Sequence, residues 1–123
     1  MVNKGNKKRK KGLPTVEEIL RWIPTRNPIL EWSTNTEDLV EIKVPKFKSN
    51  IGKSFCKLLK KEETFIAKMD KIGSLVWRHS DGVNTVKDIL EILKKEYPLE
   101  KDIDQRLFLF IQQMHILDYI ILK

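Results

Sequence analysis

Apolar and charged side chains alternate between Leu39 and Val44, with Val40, Ile42 and Val44 apolar and the residues between them charged. A period of two is typical of a strand with one buried face. The segments 29–32 and 64–69 are also strand-like, and the polar residues 33–38 favour a hairpin turn. We therefore predict three strands, with the first two joined as a hairpin.

The second half of the chain has helical spacing instead. Asp70 can cap a first helix, Gly82 has the backbone freedom to end it, and Thr85 with Asp88 resembles a capping box that begins a second helix. Pro98 stops that second helix. The apolar residues of these helices that we expect in the core are Ile72, Val76, Trp77 and Ile89.

The last predicted helix, about residues 101–118, has two different faces at 100° per residue. Leu109 and Ile116 are seven residues apart, so they lie two turns apart on one face, as anchors for a partner would. The core face consists of Ile103, Leu107, Phe110, Ile111, Met114 and Leu117. The strip roughly opposite consists of Gln105, Leu109, Gln112, Gln113 and Ile116.

A short amphipathic helix begins at Thr15, with Glu18 in the capping-box position, and stops at Pro24. A strand-rich first half followed by three helices predicts an α+β fold of the winged-helix type. In this fold a three-stranded antiparallel sheet precedes three helices. At 123 residues, the length suits one domain with a core of modest size.

The net charge of +7 is unevenly distributed. Residues 1–12 hold six basic side chains and no acidic one, so the rest of the chain has a net charge of only +1. A second run, from Lys43 to Lys61, has seven lysines and no acidic residue. A block of like charges with little apolar content predicts a solvated, flexible tail. An electrostatic role of the tail on RNA, on an anionic surface or on an acidic partner is the alternative.

The side chains that could do chemistry form no catalytic set. The five glycines make no phosphate loop, and His79 and His115 have no ligand partner at a suitable spacing. Asp70 and Asp81 fit cap and turn positions better than those of general acids. We predict no catalytic residue, no metal site and no cofactor.

Cellular location is constrained by the lone cysteine and by hydropathy. Cys56 cannot form an internal disulfide and suits a reducing cytosol. No apolar run approaches the ~18 to 20 residues that cross a bilayer. We therefore expect a cytoplasmic protein with no membrane segment.

Nucleic-acid binding is one function that the predicted fold would allow, because helix-turn-helix geometry suits a winged-helix fold. The segment from Glu100 to Asp118, however, contains two basic and four acidic residues. A recognition helix with net negative charge is poorly suited to lie between phosphates. The tail is the part that could still touch nucleic acid.

Several short motifs, taken together, resemble the PqqD family. The resemblance covers residues 24–122, and Asp118 stands where members commonly have a glycine after the last helix. We therefore predict a basic flexible tail at 1–12, a short helix at 13–23 and a PqqD-like peptide-binding domain at 24–123. The motifs are Lys68-Met-Asp-Lys-Ile-Gly-Ser-Leu-Val-Trp77, Asp81-Gly82, Thr85-Val86, Ile89, Pro24-Thr-Arg-Asn-Pro28 with Trp32, and the helix from Arg106 through Phe110 to Leu117.

The resemblance implies a non-catalytic peptide chaperone. Members of the family hold the leader of a ribosomally made precursor peptide and present it to a modifying enzyme, often a radical SAM enzyme. The leader adds as a strand beside the third strand and packs against the third helix. Carried over to this chain, the peptide-binding residues are Thr64, Phe65, Ile66, Ala67, Lys68, Arg106, Leu109, Gln113 and Ile116.

Two alternatives to this function remain. One is a nucleic-acid binder of the winged-helix class that uses its basic tail. The other is an adaptor that kept the fold and lost peptide binding.

Overall fold

The computed structural model describes residues 13–45 and 64–123. The chain divides into a central unit, Asn27–Arg78, and a terminal unit that combines Met1–Arg26 with His79–Lys123. The predicted basic tail at 1–12, and the lysine-rich residues 46–63 with Cys56, lie outside the described residues. The predicted domain bounds stay a prediction.

Four helices and five strands make up the described chain. In order they are α1 (Val16–Arg21), β1 (Pro24–Arg26), β2 (Glu31–Thr34), β3 (Val40–Pro45), β4 (Thr64–Lys68), α2 (Lys71–His79), α3 (Val86–Glu96), α4 (Ile103–Ile116) and β5 (Ile120–Leu122).

Strands β2, β3 and β4 form an antiparallel sheet in that order, and helices follow it, which confirms the predicted α+β fold class. Val40, Ile42 and Val44 are at most 7% exposed, so the alternating pattern of β3 does mark one buried face. Asn35 fixes the turn between β2 and β3. Its Oδ1 accepts hydrogen bonds from the Glu37 and Leu39 amides at 2.8 and 3.0 Å.

Helix α2 is tied to the sheet of the central unit by backbone and side-chain contacts. Asp70 caps the helix as predicted, its Oδ1 accepting from a first-turn N–H at 2.7 Å. The buried Ser74 hydroxyl accepts a hydrogen bond from Val40 N at 2.8 Å. Trp77, fully buried, packs edge-to-face on Trp32 with ring centroids 6.2 Å apart. The helix therefore covers the buried face of the sheet.

The terminal unit contains a two-stranded sheet that the hydrophobic pattern does not predict. Strands β1 and β5 pair antiparallel, with Thr25 opposite Ile121. Ile23 and Lys123 exchange two further backbone hydrogen bonds, each 3.2 Å long. Three-residue strands are too short to show a period, so only the folded chain reveals this pairing.

The turn between α2 and α3 needs glycine at one position. Gly82 has φ +84°, and a Cβ at this residue would lie 3.0 Å from Thr25 Oγ1. Its amide donates to Pro24 O at 2.9 Å. Gly82 thus allows the turn to lie close against β1, and its predicted backbone freedom is confirmed.

Helices of the terminal unit pack in the order α1 on α3, α3 on α4, and α4 on β5. None of the helices within residues 13–45 and 64–123 is long and apolar enough to span a bilayer. The buried apolar residues of the terminal unit include Ile19, Pro24, Val86, Ile89, Leu90, Leu93, Ile103, Leu107, Ile111, Met114 and Ile120.

Helix α4 ends earlier than predicted. Leu117, expected in the core, is the C-terminal cap residue and is 52% exposed, so that part of the prediction is wrong. Asp118 follows with φ 65°. The amides of Asp118 and Tyr119 bond to His115 O and Met114 O at 3.0 and 2.9 Å. This is the Schellman pattern, in which aspartate adopts the left-handed conformation usually left to glycine.

We expect Thr85→Ala to lower the free energy of unfolding by about 1 kcal/mol, because it removes the cap of α3. Thr85 Oγ1 accepts from Asp88 N at 3.1 Å, and Asp88 Oδ2 accepts from Thr85 N at 2.9 Å, which confirms the capping box. Urea unfolding followed by circular dichroism measures the change. Thr85→Ser keeps the hydroxyl and should stay close to wild type, whereas equal losses in both variants would contradict a capping role.

Candidate functional site

Backbone hydrogen bonding determines which groups of β4 face outward. Met69 N donates to Val40 O at 2.9 Å, in the same register that places Ala67 opposite Ile42. Along an antiparallel pair, residues alternate between those that bond to the partner strand and those that do not. Phe65 and Ala67 therefore direct their backbone groups towards β3. Thr64, Ile66 and Lys68 direct theirs away from it.

Within residues 13–45 and 64–123, the outer side of β4 is a sheet edge. Among the residues that the structure describes, β4 pairs with β3 alone. The outward N–H and C=O groups form a row that can pair with another extended chain. This edge can therefore hydrogen-bond a peptide through its backbone.

Exposed apolar side chains accompany this edge on both faces of the sheet. Phe65 lies opposite Val44, on the face of the buried residues, and is still 41% exposed. Ile66 lies opposite Lys43 on the other face and is 49% exposed. A strand added here would find an apolar contact on either side.

The strip predicted on α4 is at the surface. Leu109 and Ile116 are 53% and 78% exposed, and Arg106 and Gln113 are exposed as well. At 100° per residue these four side chains share one face of the helix. Arg106 Nη1 lies 3.0 Å from Glu100 Oε1, so its charge already has an acidic partner.

The nine predicted site residues fall into two groups. Five form β4 in the central unit, and four form the strip of α4 in the terminal unit. Each group is continuous within its own unit. Their role in peptide binding stays a prediction.

The two histidines considered as metal ligands lie near the ends of helices. Within residues 13–45 and 64–123, no three His, Cys, Asp or Glu residues are placed to hold a metal ion. His79 is the last residue of α2. His115 is exposed, and its Nδ1 lies 3.5 Å from Ile120 O.

Asp81 is a turn residue, as predicted. Its Oδ1 accepts from the amides of Val83 and Asn84, both at 2.9 Å, and its Oδ2 accepts from the Asn84 side chain at 3.0 Å. The backbone N–H groups of Asn84 and Val83 stabilise the ionised carboxylate and so lower the pKa of Asp81. The carboxylate therefore holds the chain reversal that leads into α3.

One feature of the terminal unit was missed by the sequence prediction. An open pocket of about 430 Å³ lies between the start of the described chain, α1 and the last turn of α4. The sequence signal was the pair Leu13-Pro14 ahead of the cap of α1, together with Trp22 behind it. The pocket is lined by Leu13, Pro14, Glu18, Trp22, Gln112, His115 and Ile116.

Comparison with known proteins gives one family. The model of the family described as "Coenzyme PQQ synthesis protein D (PqqD)" matches residues 57–120, more than half of the chain. The match includes β4, α2, α3 and α4 and excludes α1. No curated protein and no solved structure matches the chain significantly.

We expect Asp81→Asn to lower the free energy of unfolding more at pH 6 than at pH 3. The folded-state pKa lies below the usual 3.8, so this stabilisation is full above the unfolded pKa and is lost as the pH falls through the folded pKa. Urea unfolding of both proteins at the two pH values measures the difference. If wild type and Asp81→Asn differed in unfolding free energy by the same amount at pH 6 and at pH 3, the ionised Asp81 carboxylate would not be the stabilising group.

Proposed function

The chain belongs to the PqqD family of coenzyme PQQ synthesis proteins, and we propose that it is a non-catalytic peptide chaperone. It binds the leader of a ribosomally made precursor peptide by strand addition to β4. It then presents the peptide to a separate modifying enzyme of the radical SAM type, in the cytoplasm.

The edge of β4, which has no further partner strand within residues 13–45 and 64–123, is the observation that carries this proposal. Ile66 and Lys68 direct their N–H and C=O groups away from β3. An extended peptide can satisfy these groups without any change in the register of the sheet. A sheet edge that already presents its backbone groups needs no rearrangement to accept a strand.

Backbone pairing alone does not give useful affinity. Each backbone hydrogen bond nets only about 1 kcal/mol, while ordering each peptide residue costs about 1 to 2 kcal/mol. Buried apolar anchors, at about 1.5 to 3 kcal/mol each, have to supply the difference. Phe65 and Ile66 offer such contacts on β4, so we propose a leader with two or three apolar residues.

The strip of α4 is the second group of residues that we propose to contact the leader. Leu109 and Ile116 are apolar, exposed and on one helix face, and Gln113 lies between them as a hydrogen-bonding side chain. We propose that the apolar residues of the leader pack against this strip as well.

Acidic residues of the leader would meet Lys68 and Arg106. Arg106 is already paired with Glu100, and exposed ion pairs are worth only about 0 to 1 kcal/mol. Exchange of one carboxylate for another therefore changes the affinity little. Charge sets the orientation of the leader, and the apolar contacts supply its affinity.

Nucleic-acid binding has less support from the folded part of the chain. The described residues contain 12 basic and 15 acidic side chains, which disfavours contact with phosphates. The basic tail is the part to which that alternative would apply.

We expect Ile66→Pro to weaken peptide binding by about fivefold or more relative to Ile66→Ala. Proline removes an N–H that faces outward, a loss of about 1 kcal/mol, and its ring obstructs an added strand. The ladder with β3 keeps all its hydrogen bonds. Ligands are selected from a phage-displayed library of random 20-residue peptides on the full chain, and their affinities are then measured by fluorescence anisotropy. Equal affinities of the two variants would contradict strand addition at β4.

We expect Leu109→Asp to weaken binding of the same peptides by about tenfold or more, because a lost apolar anchor is worth about 1.5 to 3 kcal/mol. Leu99→Asp is the matched control, since Leu99 is 93% exposed in the turn before α4 and lies off the strip. The same titration serves both variants. Unchanged affinity after Leu109→Asp would remove α4 from the binding surface.

A further inference from the structure

The pocket beside α4 is built by a helix that the family match does not include. Leu13, Pro14, Glu18 and Trp22 come from α1 and its flanks, outside the matched residues 57–120. Ile116, the last residue of α4, belongs both to this pocket and to the exposed strip. The pocket therefore includes residues from outside the family match, and it adjoins the strip of α4 that we propose to bind the leader.

The α1 wall is held in place by hydrogen bonds at both of its ends. At its start, Thr15 Oγ1 accepts from Glu18 N at 3.1 Å, and Glu18 Oε1 accepts from Thr15 N at 2.9 Å. At its end, Trp22 N donates to Ile19 O at 3.1 Å, and Trp22 O accepts from Val86 N at 2.9 Å. Glu18 and Trp22 therefore have fixed backbones one helical turn apart.

The chemistry of the pocket favours a positively charged guest. Glu18 is the lining residue that has a formal charge at pH 7. One of its oxygens is used in the cap of α1, while the other side of the carboxylate can accept from a guest. The wall from α4 is the C-terminal turn of that helix, which carries a partial negative charge. The Glu18 carboxylate would repel an anionic guest.

The remaining lining suits an extended aliphatic stem. Leu13 and Ile116 are 76% and 78% exposed, so the rim of the pocket is apolar and accessible. Trp22 adds an aromatic surface, and indole is the best of the aromatic rings for contact with a cation. A lysine or arginine side chain combines an apolar stem with a cationic head and matches both properties.

We propose that this pocket binds a lysine or arginine side chain of the bound peptide, with its stem on Leu13 and Ile116 and its charged head at Glu18 and Trp22. This inference rests on the proposed function, because the guest belongs to the same peptide. It assigns α1 a role in specificity: the helix selects leaders that place a cationic residue near the end of α4.

Selected peptides and charge-removing variants test this inference. Peptides enriched from the random 20-residue library on the full chain should carry lysine or arginine at a constant spacing from their apolar residues. In a synthetic peptide of this kind, norleucine in place of that residue removes the charge and keeps the stem. It should weaken binding by about fivefold, as expected for an exposed ion pair with a cation–π contact.

The decisive comparison is a double-mutant cycle with Glu18→Gln, since glutamine keeps the acceptor that caps α1. In this variant the difference between the norleucine peptide and the lysine or arginine peptide should shrink to the part that the Trp22 contact supplies. Glu17→Gln removes the same charge from α1 outside the pocket lining and should leave the fivefold difference intact.

Three results would overturn the inference. A fivefold loss that persists in Glu18→Gln would place the cationic residue elsewhere on the protein. Selected peptides without a preference for lysine or arginine would also overturn the inference. In both cases, sensitivity to Ile66→Pro would leave strand addition standing. Failure to select any peptide would overturn the pocket inference and the proposed function together.

Discussion

The hydrogen-bond ladder between β3 and β4 is the constraint on which the proposed function depends. Alternate residues of β4 bond to β3, and the others must face outward. A slip of one residue would exchange the two sets and turn Phe65 away from the face that holds Val44. The bond from Val40 N to the hydroxyl of Ser74, on the helix that follows β4, holds β3 in this register. The buried side chains thus determine which backbone groups remain available at the edge.

The terminal unit shows how distant segments combine into one surface. Pairing of β1 with β5 brings the start of the described chain beside its end, and α1 packs on α3. This arrangement places the Glu18 carboxylate and the Trp22 indole beside the last turn of α4. Residues outside the family-matched segment therefore lie next to the end of α4, which belongs to that segment.

Long periodic segments and local caps were predictable, and short or distant pairings were not. The period of β3, the cap at Asp70 and the capping box at Thr85 each depend on neighbours within a few residues, and all three are confirmed. Leu117 was wrongly placed in the core because helical periodicity does not show where a helix ends. Asp118 reverses the chain there without the usual glycine, so the local signal was weak.

The sequence by itself determined the fold class, which follows from local periodicity and caps, and the family, which follows from motifs. The candidate site residues follow from the resemblance to that family. The sequence also determined that Leu109 and Ile116 share a helix face, since that depends only on 100° per residue. The tertiary structure decided which backbone groups of β4 face outward, because that depends on pairing with β3. It also decided that Leu13, Glu18 and Trp22 line a pocket with Ile116, since residues about a hundred positions apart meet only after the chain has folded.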